Sequence, residues 1–296
     1  MNTVVTKEIS GYTTEDVSGK VLKNGGRMLI ALLVGLLVLI ELCPLIWLLL
    51  SSVKAPDEFS LRPIYALPEG FHWQNYVNAW TEGKMGIYFK NSILATFPSL
   101  LFTIILGTMA AFGIEIMKWR LSNMVLLTFL AGIMIPVQMV LLPLFTIYKE
   151  VHLLNSLWGL ILIYTVFGFP LTVFLMTGYF KALPREVLEA AVMDGASIYQ
   201  VFFRVALPMV MNALVTVALV QFFFIWNDLL LSLTFISDTE LRTVQTGLLN
   251  FVGRFGQREW GPTFASISMT VIPTLLIYLL LNNSVMKGLT AGAVKG

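Results

Sequence analysis

The 296-residue chain contains a single cysteine and two histidines. Cys43 has no partner for a disulfide within the chain and no second thiol for a cysteine metal site. His72 and His152 lie far apart with no cysteine near either, so no metal centre is expected. Charge is scarce too: Asp, Glu, Lys and Arg make up 12% of residues, where soluble globular chains carry roughly 25%. The net charge of +2 is too small to point to nucleic acid. No phosphate-cradling G-x4-G-K-[ST] loop is present. Its nearest approximation, Gly19-Lys20, has Thr14 and Val21 where glycine and a hydroxyl residue are required. No Ser/His/Asp grouping or paired carboxylates occur, so the chain is not expected to be an enzyme or to bind a cofactor itself.

Apolar sequence is what the chain has in quantity. It is 57% hydrophobic, with a mean hydropathy of +0.82. This composition defines an all-α polytopic membrane protein rather than a soluble domain with a large core. Crossing a bilayer takes about 20 mostly apolar residues. Six stretches qualify, at 29–51, 90–114, 122–147, 156–179, 204–230 and 264–286. Backbone groups inside lipid must pair within their own segment, so these are read as helices. Residues 1–28 read as an uncleaved, flexible tail, because no short apolar region with a small-residue cleavage site follows them. The six-helix transmembrane domain is then 29–287, with a second tail over 288–296. Placing the N-terminus inside puts eleven basic residues in the cytoplasm against eight outside, including Lys118, Arg120, Lys181, Arg185, Arg204 and Lys287. Trp47, Trp80, Trp158, Trp226 and Trp260 then fall near the outer ends as interface anchors. Both termini are inside.

This topology puts EAAVMDGASIYQVFFRVALP, Glu189 to Pro208, in the cytoplasm. Pro184 suits the first turn of a helix. Arg185 to Asp194 favours helix, and Gly195 is a left-handed stop. Ser197 and Gln200 have capping-box spacing for a second helix, which Pro208 interrupts near the membrane. Val187, Ala190, Ala191 and Asp194 share one small face, open either to packing on the chain's own helices or to close approach by another protein.

Glu189-Ala190-Ala191, three residues, Gly195, nine residues, then Val205-x-Leu207-Pro208 resembles the EAA loop of ABC importer membrane subunits. Only Val205 departs, where the family usually has Ile. Most of the chain is similar to the carbohydrate-uptake subfamily, and to its maltose-type second membrane subunit. Asn75-Tyr76, Asn91-Ser92, Ile135-Pro136-Gln138, Leu153-Leu154-Asn155-Ser156, Trp226-Asn227-Asp228 and the tail Gly288–Gly296 carry that likeness. It implies the type I ABC importer permease fold, with the loop at 184–208 as a coupling helix. Glu189, Ala190, Ala191, Asp194, Gly195, Leu207 and Pro208 would then form the ATPase-coupling element. The implied partners are a second homologous permease, two ATPase subunits that hold ATP and Mg, and an extracytoplasmic solute-binding protein. The implied location is the bacterial inner membrane, and the implied cargo a sugar or oligosaccharide. A polyol, uronate oligosaccharide or glycerol phosphodiester is the alternative within this class.

Other polar residues leave two readings each. Trp226, Asn227 and Asp228, with Gln138 and Asn91, either line a sugar path or finish helix ends and seams. Asn250, Arg254, Gln257 and Trp260, in the outer loop at 231–263, either reach the binding protein or belong to a folded cap. Glu41 is a carboxylate deep in the first span. It is either a seam residue or, in a secondary carrier, a proton site.

Overall fold

The computed structural model describes residues 14–251 and 259–293, with side chains placed over 27–251 and 259–282. In chain order the principal helices are α1 (Thr14–Ser51), α2 (Gln74–Thr81), α3 (Met85–Glu115), α4 (Ser122–Met134) and α5 (Val137–Glu150). They continue with α6 (Leu157–Lys181), α7 (Arg185–Met193), α8 (Ile198–Met209), α9 (Met211–Trp226), α10 (Leu230–Phe235) and α11 (Trp260–Ala293). No strand occurs among the described residues. Among the described residues four helices are long and apolar enough to span a bilayer, and the number rises to six if each of two bent pairs counts as one span.

Two of the stretches expected to span are bent pairs, one at a break that hydropathy had passed over and one near the interruption expected at Pro208. Within 122–147, α4 and α5 meet at 97°. The break is at Ile135-Pro136, both extended, with ψ of 114° and 129°. A proline disfavours helical geometry in the residue before it, so α4 stops at Met134 and α5 restarts after Pro136. The span expected at 204–230 is likewise bent, α8 meeting α9 at 77°. Here Pro208 lacks the N–H that would bond Arg204, and its ring crowds that carbonyl. The preceding turn widens into a π-helix over Val201–Ala206.

The first and last helices are longer than the apolar runs. The stretch expected as a flexible tail is helical from Thr14, and helix continues through Ala293 in the stretch expected as the second tail. Residues 1–13 and 294–296 of those tails lie outside the described residues.

The centre of the bundle is the α3–α6 seam. Lipid supplies no hydrophobic drive between helices, so close backbone approach and hydroxyl pairing do the work. A Cβ on Gly107 would sit 2.5 Å from Thr172 Cγ2. Ser99 Oγ on α3 donates to Ala95 O at 2.6 Å and lies 3.3 Å from Ile161 O on α6. Gln221 of α9 is buried against this seam, its Nε2 donating to Gly168 O at 2.8 Å and Thr172 Oγ1 at 2.9 Å. By contrast, the apolar stretch of α1 is unburied along its length. Its end packs by Trp47 edge-on to Phe264 of α11, with centroids 5.2 Å apart.

Candidate functional site: the helix–turn–helix between α6 and α9

The turn between α7 and α8 forms as its residues dictate. Pro184 precedes the helix as its N-cap, one position outside the first turn expected for it. At the other end Gly195 has φ of +83°. Its N–H donates to Val192 O at 3.0 Å, while Ala196 N–H donates to Ala191 O at 3.0 Å. These two bonds are the Schellman pattern, which satisfies carbonyls the helix end would leave open. Ser197 then starts α8 with a reciprocal capping box: Gln200 N–H donates to Ser197 Oγ at 3.4 Å, and Ser197 N–H to Gln200 Oε1 at 2.8 Å.

The small face expected on α7 is split. Val187, Glu189, Ala190 and Asp194 are exposed, while Ala191 turns partly inward. The inward anchor is Leu188, which sequence reasoning passed over because it sits beside the small residues. Leu188 packs in a buried cluster with Phe112 of α3, Phe180 of α6, and Val201 and Phe202 of α8. Phe112 meets Phe180 edge-on at 5.7 Å and Phe202 edge-on at 5.0 Å. Leu207 packs against the same cluster, and Pro208 is exposed at the bend. Through Leu188, α7 is therefore packed against α3, α6 and its own neighbour α8 on one side and open on the other, where Val192 and Met193 are also exposed, as is Tyr199 of α8.

Toward the other end of the bundle, the break between α4 and α5 opens a cavity of about 280 Å³. Gly132, Ile135 and Val137 line it from the break, with Tyr164, Gln221 and Asp228 as its polar lining. Asp228 is one of the sequence-predicted path residues found here. Its carboxylate accepts from Tyr164 OH at 2.8 Å, Ser232 N–H at 2.9 Å and Leu231 N–H at 3.2 Å. Tyr164 and Gln221 join it through folding alone, across 64 and 53 positions from their respective partners Asp228 and Gly168. Gln138 is exposed just past the break. Asn227 is exposed, its Oδ1 accepting from Gln245 Nε2 at 3.3 Å.

Two path candidates, Trp226 and Asn91, are tied into the fold of this chain. Trp226 is 3% exposed, stacked on Phe222 at 5.6 Å, and its Nε1 donates to Thr270 O. Asn91 is buried, its Nδ2 donating to Glu240 O at 2.8 Å and Arg242 O at 3.0 Å, which makes it an anchor for the loop after α10. That loop is folded down at least to Phe251. Ser92 Oγ accepts from Val244 N–H at 2.9 Å. Asn155 Oδ1 accepts from Ser237 N–H at 2.7 Å and Asp238 N–H at 3.0 Å. Asn250 is held within the loop's base by Tyr88 OH at 2.8 Å and by Arg242. Trp260 opens α11, stacked on Phe264 at 5.8 Å. Arg254 and Gln257 lie outside the described residues.

Bent helix pairs thus enclose a mostly apolar cavity with Tyr164, Gln221 and Asp228 on its wall, joined to an exposed helix–turn–helix. The chain belongs to the family described as binding-protein-dependent transport system inner membrane component, whose model matches residues 103–286. It is thus an inner-membrane permease subunit of the ABC importer class. It is 33% identical over 253 residues to the probable ABC transporter permease protein YurM of Bacillus subtilis, covering 86% of this chain and 83% of that one. It is 32% identical over 257 residues to the diacetylchitobiose uptake system permease protein NgcG of Streptomyces coelicolor, covering 86% and 85%. The fold matches a crystal structure of a bacterial ABC transporter involved in import of the acidic polysaccharide alginate. The TM-score is 0.76 at 19% identity, over 92% of this chain and 98% of that one.

Proposed function

We propose that this chain is one of two permeases in an ATP-driven importer of a sugar or oligosaccharide, with α7 as the element that receives the ATPase. The observation that carries the reading is the Leu188 plug. Force applied to the exposed side of α7 passes into Phe112, Phe180 and Phe202, and so into α3, α6 and α8 together. Glu189, exposed with no ion pair among the described residues, is free for a charge-assisted contact to the ATPase. Nucleotide-driven closure of two ATPase subunits would move two such helices and alternate the pathway between inward-open and outward-open states.

In this reading each bent pair is one span, so the chain crosses six times with both ends and α7 in the cytoplasm. A second permease is supported by α1. Glu41 lies exposed amid an apolar span that this chain leaves uncovered. A carboxylate at mid-membrane costs about 2.5–3.5 kcal/mol on insertion scales, and a companion chain over α1 would relieve it. The cavity beside Asp228 is this subunit's contribution to the path, and the outer loop, through Asn250 and Trp260, meets the solute-binding protein. Carbohydrate as cargo rests on the diacetylchitobiose relative, a permease of the same length class.

The test is co-purification from native membrane through a tag on this chain, with mass spectrometry of what accompanies it. A stoichiometric ATPase and a second permease are expected. A chain that purifies alone even after mild crosslinking overturns the reading.

A further inference from the structure

A cavity of about 520 Å³ lies between α7 and the ends of α3 and α6. Three cations line it: Lys118, just past α3, Lys181, the last residue of α6, and Arg185, the first of α7. Glu115 and Glu189 are the carboxylates on its wall, so positive charge is in excess by one. Glu115 is already taken by Lys118 at 3.7 Å. Lys181 and Arg185 form no ion pair among the described residues. The floor is apolar, with Phe180, Leu188 and Val201.

Depth identifies what such a groove meets. Two candidate spans end at Glu115 and Lys181; in the six-span reading the cations beside them stand at the cytoplasmic interface, where a bilayer's phosphates lie. Trp119, 45% exposed next to Lys118, is the residue type that favours the same layer. Basic pockets between helix ends at this depth suit anionic headgroups. The apolar floor suits the glycerol and first acyl carbons better than it suits a free anion.

We infer that this groove holds the headgroup of an anionic phospholipid, clamped between α7 and the ends of α3 and α6. The inference rests on the reading that these two helices span the membrane. A bound headgroup would bridge Arg185 on the coupling element to Lys118 and Lys181 on the bundle, making the fit between them sensitive to lipid composition.

The test uses the assembled importer in nanodiscs of phosphatidylethanolamine and phosphatidylglycerol, compared with a K118Q/K181Q double variant. Neither substitution touches α7. Lipid retained after delipidating washes is counted by native mass spectrometry. Retained phosphatidylglycerol is expected to weaken about fivefold per lysine, with phosphatidylethanolamine and ATPase stoichiometry unchanged. Equal phosphatidylglycerol retention in both proteins overturns the proposal. Loss of ATPase with lipid unchanged overturns it too, and gives the groove to the ATPase. Displacement of lipid by inorganic phosphate would make it a free-anion site and also overturn it. Should the double variant fail to assemble, K181Q against the charge-keeping K181R carries the same comparison. Failure to find any ATPase in the starting complex would instead strike the functional reading.

Discussion

The rings of Phe112 and Phe202 meet edge-on with centroids 5.0 Å apart, and Leu188 packs in the same cluster. Phe112 belongs to α3 and Phe202 to the π-helical turn of α8, so the contact ties the exposed helix–turn–helix to the centre of the bundle. Edge-to-face aromatic pairs favour one relative orientation of their rings. The contact therefore fixes the angle of α8 as well as its distance.

Leu188→Ala empties the plug. Truncating a buried leucine costs about 2–5 kcal/mol, and here the loss falls on the joint between α7 and the bundle. Thermal unfolding of the purified complex should shift down, and ATP hydrolysis should continue while uptake falls. Uptake and melting temperature both unchanged would show that Leu188 carries nothing.

Gly195 separates backbone strain from crowding. A Cβ there meets no atom within 4 Å, yet φ is +83°. Left-handed geometry costs an ordinary L-residue roughly 1–2 kcal/mol, and asparagine tolerates it better. Uptake should rank wild type, then Gly195→Asn, then Gly195→Ala. An alanine variant equal to wild type would mean the turn geometry is not needed for coupling.

This turn was the most legible part of the chain. The Schellman bonds and the capping box are local devices, set by Gly195, Ser197 and Gln200 within a few positions. What stayed hidden was nonlocal. The partners of Asn91 lie 149 and 151 residues away, and nothing near Asn91 announces them. The burial of Trp226 against Phe222 and α11 depends on how α9 docks, which nothing beside it in the chain announces. Hydropathy averaging carried one span straight across Ile135-Pro136, although the X-Pro signal for a break was there. The cavity needed α4, α6 and α9 to be assembled before Tyr164, Gln221 and Asp228 faced it.

Asp228 is a junction of three hydrogen bonds, and Tyr164 supplies one of them. Asp228→Ala leaves two backbone donors at the start of α10 unmet, at about 1–3 kcal/mol for each buried group. Tyr164→Phe removes a single hydroxyl. Initial uptake rates at several cargo concentrations should show the larger defect for Asp228→Ala. A larger defect for Tyr164→Phe would mean the hydroxyl, not the carboxylate's hold on α10, is what transport uses.

The outer loop is fastened by Asn91 and by the Lys84–Glu240 ion pair. The hydrogen bond to Glu240, and then its charge, raises the Lys84 pKa above its ordinary 10.5. A raised lysine pKa means the pair's stabilisation is complete below 10.5 and is lost as pH climbs through the folded value. Hydrogen exchange over 240–242 should therefore be insensitive to lysine titration near neutrality. Asn91→Leu should accelerate it at neutral pH, because two carbonyls lose their donor. Unchanged exchange in that variant would remove Asn91 from the role of anchor.

The central claim is that α7 is the surface the ATPase grips. Replacing Cys43 by alanine yields a chain free of thiols, into which one exposed residue at a time returns a cysteine. Ala190→Cys on α7 and Asn227→Cys toward the other end of the bundle form the decisive pair, since both positions are exposed. Crosslinking in native membrane vesicles should join Ala190→Cys to the ATPase, with a yield that changes on adding nucleotide, and should leave Asn227→Cys unjoined. No ATPase adduct at position 190, or equal adducts at both positions, would contradict the account.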